Sequence, residues 1–412
     1  MSEPVEPVAP VADPAADPAA AIDPAAVRGR RQWPLPKLAV PGAPLLVVED
    51  LSVRFSLPAG SVKAVDGVSF RLDDGEAMGI AGESGCGKTT TALSMVRLLP
   101  ANGRIKGGKI ELFGIDLVPK TEQQLARYRW REISIVFQGA MNALNPVRRV
   151  GDQIAEPIEV RLGQPRESAR KRASELLDLV GIPKKRSGAY PHELSGGMRQ
   201  RAMIAMALAC DPAIVIGDEP TTALDVMVQA QILQLLEQLR RDLGLSLMLI
   251  THDLSVIAET CDKVMVMYAG RIAEEGPVRR VFTTPRHPYT QALLGAYPNI
   301  HADRRTLEVI PGMPPDLRNP PPGCRFEPRC AFRMPICTEV VPPEVTFADG
   351  VRVACHLYPA SDAPMAGEAG RGAAPHEVVG HDALPHEHLT VVPTPAVTPS
   401  PGDMPPAPGP LP

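Results

Sequence analysis

The chain has 412 residues, 44% of them hydrophobic, enough for one large or two ordinary domains with a real core. A net charge of −4 and an aromatic content of 4% argue against a nucleic-acid surface, which needs a basic patch and stacking rings. No run approaches the ~18 consecutive apolar residues of a membrane span. The N-terminal stretch offers acids and prolines where a secretory signal has a basic start and an apolar core, so a chain that is not exported is expected.

Residues 1–44 are Pro, Ala and Asp with almost no large apolar side chains, and a near-repeat starts at Asp13, Asp17 and Asp23. Such a stretch cannot bury enough surface to offset its ordering entropy and reads as a disordered tail. Residues 359–412, rich in proline, read the same way. They hold His376, His381, His386 and His388, which offer imidazoles to a loosely bound transition metal or simply make the tail polar.

Between the tails, Leu51-Ser52-Val53-Arg54-Phe55 has strand character. A second strand over 76–80 runs into Gly82-Glu83-Ser84-Gly85-Cys86-Gly87-Lys88-Thr89, and a helical run follows over 90–99. Strand, glycine loop and helix in that order are the setting in which G-x-x-x-x-G-K-[ST] binds phosphate. The glycines let backbone N–H groups turn inward, Lys88 reaches the β and γ phosphates, and the Thr89 hydroxyl can ligand Mg²⁺. Such a loop needs an acidic partner. Ala213-Ile214-Val215-Ile216-Gly217-Asp218-Glu219 supplies an apolar strand ending in two carboxylates, Asp218 for the metal and Glu219 to accept the proton of an attacking water.

Three further elements sit where a reaction centre can be reached. Gln138 closes the strand Ile133-Ser134-Ile135-Val136-Phe137, placing an amide near Mg²⁺ and the water. His252 closes Leu247-Met248-Leu249-Ile250-Thr251, placing an imidazole near a γ phosphate; taken alone, a histidine there is more often packed or solvated than functional. In Leu194-Ser195-Gly196-Gly197-Met198-Arg199-Gln200-Arg201, Ser195 suits the N-cap of a helix whose amides the glycines leave bare, a start that binds anions.

These motifs, in this order over residues 82–252, resemble the ATPase subunits of ABC transporters: 194–201 looks like the signature, and Thr222-Ala223-Leu224-Asp225 like the D-loop. The resemblance implies an α/β, P-loop (RecA-like) core with an antiparallel β subdomain, and a helical subdomain inserted at about 139–197. It implies ATP contacts from Gly82, Glu83, Ser84, Gly85, Cys86, Gly87, Lys88, Thr89 and Thr90, and Mg²⁺ held by Thr89, Gln138 and Asp218. Glu219, His252 and Gln138 take the catalytic positions. The family stacks an aromatic ring on adenine, and Phe55 is the candidate, with a core role as its alternative. Ser195, Gly196, Gly197 and Gln200 are implied to reach the ATP of a partner subunit.

The tail Arg286-His287-Pro288-Tyr289-Thr290-Gln291-Ala292-Leu293-Leu294, with Ile310-Pro311-Gly312-Met313-Pro314-Pro315 and Gly323-Cys324-Arg325-Phe326, is similar to importer ATPases for dipeptides, oligopeptides and in some cases nickel. Gly217 departs from a common Ala, and Gly139-Ala140 from a common Asp-Pro, without removing a reacting group. The division expected is an ABC ATPase domain over 45–294 and a Cys-rich C-terminal domain over 295–358. The partners implied are two membrane permease subunits, a second ATPase subunit and, indirectly, a solute-binding protein, with the chain peripheral on the cytoplasmic face of the membrane. An exporter ATPase and a soluble ABC ATPase are the alternatives; the cysteine-bearing tail disfavours the first, and the single cassette without a coiled-coil insert disfavours the second.

Cys324, Cys330, Cys337 and Cys355, spaced C-x5-C-x6-C-x17-C, fall in a Pro-rich segment short of core residues, where a metal staple gives order more readily than packing. Zinc sites usually show C-x2-4-C pairs, and none here is that close. Iron–sulfur clusters accept looser spacings. The resemblance implies a [4Fe–4S] cluster on these four cysteines, with zinc, or four reduced thiols without a metal, as the alternatives.

Overall fold

The computed structural model describes residues 44–358 apart from 59, 140–142, 223 and 297–309. Both tails, with the four histidines of the C-terminal one, lie outside the described residues, as does Ala223.

The chain opens with two long antiparallel strands, β1 (Leu46–Leu57) and β2 (Gly60–Leu72), whose alternating burial marks a sheet with one covered face. β3 (Ala77–Ala81) is buried throughout. It leads through the glycine loop into α1 (Lys88–Met95). Next, β4 (Gly103–Leu112) and the short β5 (Ile115–Asp116) complete a four-stranded antiparallel sheet of order β2-β1-β4-β5. α2 (Glu122–Leu125) then precedes β6 (Ile133–Val136).

A helical block follows. α3 (Val150–Leu162) stops at Gly163, whose φ of 65° provides the left-handed turn that ends many helices. α4 (Arg166–Leu179) buries Ala169, Ala173, Leu176 and Leu177 against it, and α5 (Gly196–Ala207) closes the layer with Met203 and Ile204. The chain returns to the sheet in β7 (Ile214–Asp218), crosses back through α6 (Val226–Leu243), and adds β8 (Ser246–Ile250), α7 (Leu254–Thr260), β9 (Lys263–Tyr268) and β10 (Arg271–Pro277).

β9, β3, β8, β7 and β6 are parallel neighbours in that order. Their near-continuous apolar runs, AMGIA, IVIGD and SLMLI, are what a parallel sheet covered on both faces requires. Five parallel strands thus place the ends of β3, β6, β7 and β8 side by side, and the phosphate-loop residues, Gln138, Asp218 and His252 all lie at or just past those ends.

After α8 (Val278–Thr283) and α9 (Pro288–Gly295), the cysteine-bearing segment contributes α10 (Pro335–Glu339), β11 (Glu344–Thr346) and β12 (Arg352–Ala354). β12 pairs antiparallel with β10, so the main sheet runs on into this segment. The sequence suggested a stretch short of core residues. Instead Phe326, Val345, Val351 and Val353 are buried, and Phe326 packs edge-on to Tyr268 with ring centroids 5.2 Å apart.

Polar clamps reinforce the seam. Arg325, 5% exposed at its side chain, pairs with Asp66 of β2 and donates to the carbonyl of Ala269. Arg271 reaches the same carboxylate at 2.9 Å. Burial opposes ionisation of Asp66, yet hydrogen bonding from Arg271 and the charges of Arg325 and Arg271 hold its carboxyl below the usual 3.8. Asp66→Asn therefore strands a buried guanidinium and lowers unfolding stability by about 2 kcal/mol, measurable by denaturant titration. Because the folded-state value is depressed, the wild-type advantage is present above pH 3.8 and shrinks as the pH falls through the folded-state pKa.

Candidate nucleotide site

The loop between β3 and α1 is folded tightly because backbone crowds it. Gly82 and Gly87 have φ of +142° and +109°. A Cβ on Gly82 would lie 2.2 Å from the Met267 carbonyl oxygen, and one on Gly87 would lie 2.5 Å from that of Ala64. Only glycine fits either position. Ser84 and Gly85 are exposed at the tip, Cys86 is buried beneath it with its thiol pKa pushed up by burial, and the Thr90 carbonyl takes the Ser94 hydroxyl. The Lys88 ammonium, nearly buried, donates to the carbonyls of Gly82 at 2.7 Å and Glu83 at 3.0 Å, which aims it along the inside of the loop.

Thr89, exposed at the start of α1, donates its hydroxyl to Asp218 Oδ1 at 3.1 Å. Asp218 is 2% exposed at the end of β7, where burial, with Glu219 beside it, raises its pKa despite the bond from Thr89. A hydroxyl and a buried carboxylate in contact at the mouth of a glycine loop form a donor pair suited to a hard divalent cation, which would also relieve the desolvated charge.

Glu219 turns out of the strand with φ of +48°, a conformation unusual for a residue with a Cβ and one that clusters at functional sites. Its N–H bonds to the Ile250 carbonyl at 2.9 Å, anchoring the turn to the end of β8. Its carboxylate accepts from Gln138 Nε2 at 2.7 Å and from the Thr222 hydroxyl at 2.9 Å, and His252 Nδ1 stands 3.8 Å from its other oxygen. Gln138, Glu219 and His252, which the sequence placed on three separate strand ends, therefore converge.

Ser195 caps α5 by accepting from the Met198 N–H at 3.3 Å. Gly196 opens the helix, and a side chain on Gly197 would collide with Val228 at 2.7 Å. Gln200 is buried, and among the described residues its Nε2 has no hydrogen-bond partner. Phe55 lies partly buried on β1, its ring over Gly103, where an added Cβ would meet it at 2.8 Å.

Tyr289 and Arg329, which the sequence offers only as parts of the tail that resembles importer ATPases, both touch the loop, a role sequence reasoning missed. The Tyr289 hydroxyl accepts from the Glu83 N–H at 2.8 Å, and Arg329 grips the Glu83 carboxylate with both terminal nitrogens, at 2.7 and 3.0 Å. Separations of 206 and 246 residues leave no local pattern to find them by. Tyr289 is itself seated by His287, whose Nδ1 accepts from the Tyr289 N–H and whose pKa burial lowers to about 4.

Of the four clustered cysteines, Cys324, Cys337 and Cys355 are buried and Cys330 is partly exposed. The Cys324 N–H bonds to the Cys337 carbonyl at 2.8 Å. Burial, then the charges of Cys324, Cys330 and Cys337, raise the Cys355 thiol to about 12. Among the described residues no three His, Cys, Asp or Glu side chains are arranged to hold a single metal ion.

Compared with known proteins, residues 65–222 match the family described as ABC transporter, and residues 273–337 the one described as oligopeptide/dipeptide transporter, C-terminal region. The chain is 49% identical over 313 residues to the oligopeptide transport ATP-binding protein OppD of Escherichia coli, covering 76% of this chain and 92% of that one. It is 48% identical over 309 residues to the OppD of Bacillus subtilis, covering 74% and 86%. Among solved structures, a dimeric bacterial ABC transporter cassette superposes with a TM-score of 0.51 at 28% identity, covering 57% of this chain and 99% of that one. A post-hydrolysis form of that cassette, bound to ADP and Pi, gives a TM-score of 0.50 at 28% identity and the same coverage.

The crowding at Gly87 gives a direct check. Gly87→Ala forces both a left-handed backbone and a clash with the Ala64 carbonyl, so MgATP binding measured by equilibrium titration should weaken by at least ~30-fold while circular dichroism stays that of the wild type.

Proposed function

The chain belongs to the ATP-binding subunits of the oligopeptide/dipeptide ABC transporters, and from that premise we propose that its hydrolysis of ATP drives uptake of peptides through a separate membrane permease. The observation that carries this reading is the meeting of Lys88, Thr89–Asp218 and Gln138–Glu219–His252 at the ends of adjacent parallel strands. Lys88 and the loop amides neutralise the β and γ phosphates. Thr89, Asp218 and Gln138 are the residues that would hold Mg²⁺, which would supply charge neutralisation at the phosphates. Glu219, turned out of its strand and held through its carboxylate by Gln138 and Thr222, would accept the proton of the attacking water, with His252 beside it.

One chain supplies half of what each ATP needs. Ser195, Gly196, Gly197 and Gln200 of one subunit close over the ATP held by Lys88 of another, and the partner we favour is a second, different ATPase chain. The dimeric form of the similar solved cassette supports closure in pairs. Residues beyond Gln138 face the permease, so closure pulls on its helices. Among the described residues no helix is long and apolar enough to cross a membrane; attachment at the cytoplasmic face, through the permease, rests on the reading as an importer subunit. The peptide class of cargo rests on the names of the relatives and the match at 273–337.

For Cys324, Cys330, Cys337 and Cys355 we favour a [4Fe–4S] cluster with a structural role. The support for this reading is four cysteines in one segment, three of them buried, on spacings wider than the usual zinc pairs.

Three measurements test these assignments. Lys88→Ala abolishes Mg²⁺-dependent hydrolysis, whereas Glu219→Gln keeps MgATP binding and slows turnover about 10²- to 10⁴-fold; turnover by Glu219→Gln at the wild-type rate in the assembled transporter removes Glu219 as the base. In fractionation, the chain follows the membrane only when its permease is present. Anaerobic purification yields iron and sulfide with visible absorbance that Cys330→Ser removes, and stoichiometric zinc without sulfide rules the cluster out.

A further inference from the structure

Glu83 is an anomaly in a loop that must cradle polyphosphate. It puts a carboxylate, with its side chain about one-quarter exposed, at the second position of the loop, where an unpaired negative charge repels a tri-anionic or tetra-anionic ligand. The fold answers with contacts from three directions. Lys88 takes the Glu83 carbonyl, Tyr289 takes its N–H, and the Arg329 guanidinium covers its carboxylate with a two-pronged pair.

Arg329 is well placed for this. It ends a one-turn 3-10 helix, Glu327–Arg329, directly before Cys330. Its side chain is 5% exposed, its Nε donates to the Pro311 carbonyl at 2.8 Å, and one terminal nitrogen also reaches the Tyr268 hydroxyl at 3.2 Å. The guanidinium is thus pinned on both edges before it meets Glu83, and a fork so fixed pairs with a carboxylate at little further entropic cost.

We propose that Arg329, supplied by the cysteine-bearing segment, is a positioning residue for nucleotide binding, acting through Glu83 to neutralise that carboxylate and hold the loop open to polyphosphate. The segment then has a task at the ATP site besides any cluster it carries. This inference needs only that the glycine loop binds ATP; it is independent of the cluster and of the cargo.

The test is a charge-rescue experiment on the full chain, read as the KM for MgATP in the assembled transporter and as MgATP affinity of the chain alone. Arg329→Met exposes the Glu83 charge to the phosphates and raises KM ~10-fold, the change falling on KM rather than on kcat. Adding Glu83→Gln removes the stranded charge and brings KM back to within ~3-fold of wild type, a recovery that a purely structural brace cannot give, since that brace is still missing. Arg329→Lys, which keeps the charge without the fork, lies between Arg329→Met and wild type. A KM for Arg329→Met within twofold of wild type, or a double variant as impaired as the single one, overturns the proposal. Should Arg329→Met fail to fold, Arg329→Lys decides: it keeps the charge, loses the fork and raises KM ~3-fold, and a KM equal to that of the wild type overturns the proposal.

Discussion

Backbone crowding around the loop between β3 and α1 is the constraint on which the rest of the structure depends. Carbonyl oxygens of Met267 and Ala64 stand so near Gly82 and Gly87 that no side chain fits, and the left-handed backbone at both positions is what turns the loop tightly enough for Lys88 to fold back on the Gly82 and Glu83 carbonyls. The crowding carbonyls of Met267 and Ala64 come from the end of β9 and from β2, so strands of both sheets shape the loop. The parallel sheet then fixes everything else by register. β7 aligned between β6 and β8 brings Asp218 level with Ile250, and the Glu219 N–H tied to the Ile250 carbonyl holds the next residue in its strained turn.

That turn explains why two adjacent acids behave differently. Asp218 stays in the strand, buried and bonded to Thr89, in an environment that disfavours its charge until a cation arrives. Glu219 is swung outward by its positive φ to meet two donors, Gln138 and Thr222. The unusual backbone at one position is thus what separates a carboxylate buried in the strand from one turned out to meet Gln138 and His252.

Much of this was legible in the sequence because it is local or periodic. The glycine loop carries its own spacing, the buried strands announce themselves as apolar runs, and a polar residue closing such a run must lie at a strand end, which is how Gln138, Asp218 and His252 could be grouped before any coordinates existed. Ser195 as a cap is equally local. What could not be read depends on tertiary register. Phe55 follows an irregularity in the pairing of β1 between Val53 and Arg54, so its facing is unpredictable from alternation; its ring packs over Gly103, and an adenine-stacking role does not follow from that placement. Arg329 and Tyr289 are dense with partners, yet nothing near them in the chain hints at Glu83. The Cys-rich segment looked too poor in apolar residues to pack by itself, which overlooked that the neighbouring sheet supplies the missing half of the core around Phe326 and Val351.

The margin of the main sheet has its own consequence. β10 is hydrogen-bonded to β9 on one side and, at Glu274 and Glu275, to β12 on the other, and the outermost strand, β11, is only three residues long with Glu344 paired to Arg352. A bare β10 would offer open N–H and C=O groups to any other extended chain, the usual route by which sheets recruit copies of themselves. The cysteine-bearing segment therefore acts as a selvedge: it finishes the sheet with a short, charged border and keeps the cassette from templating its own aggregation.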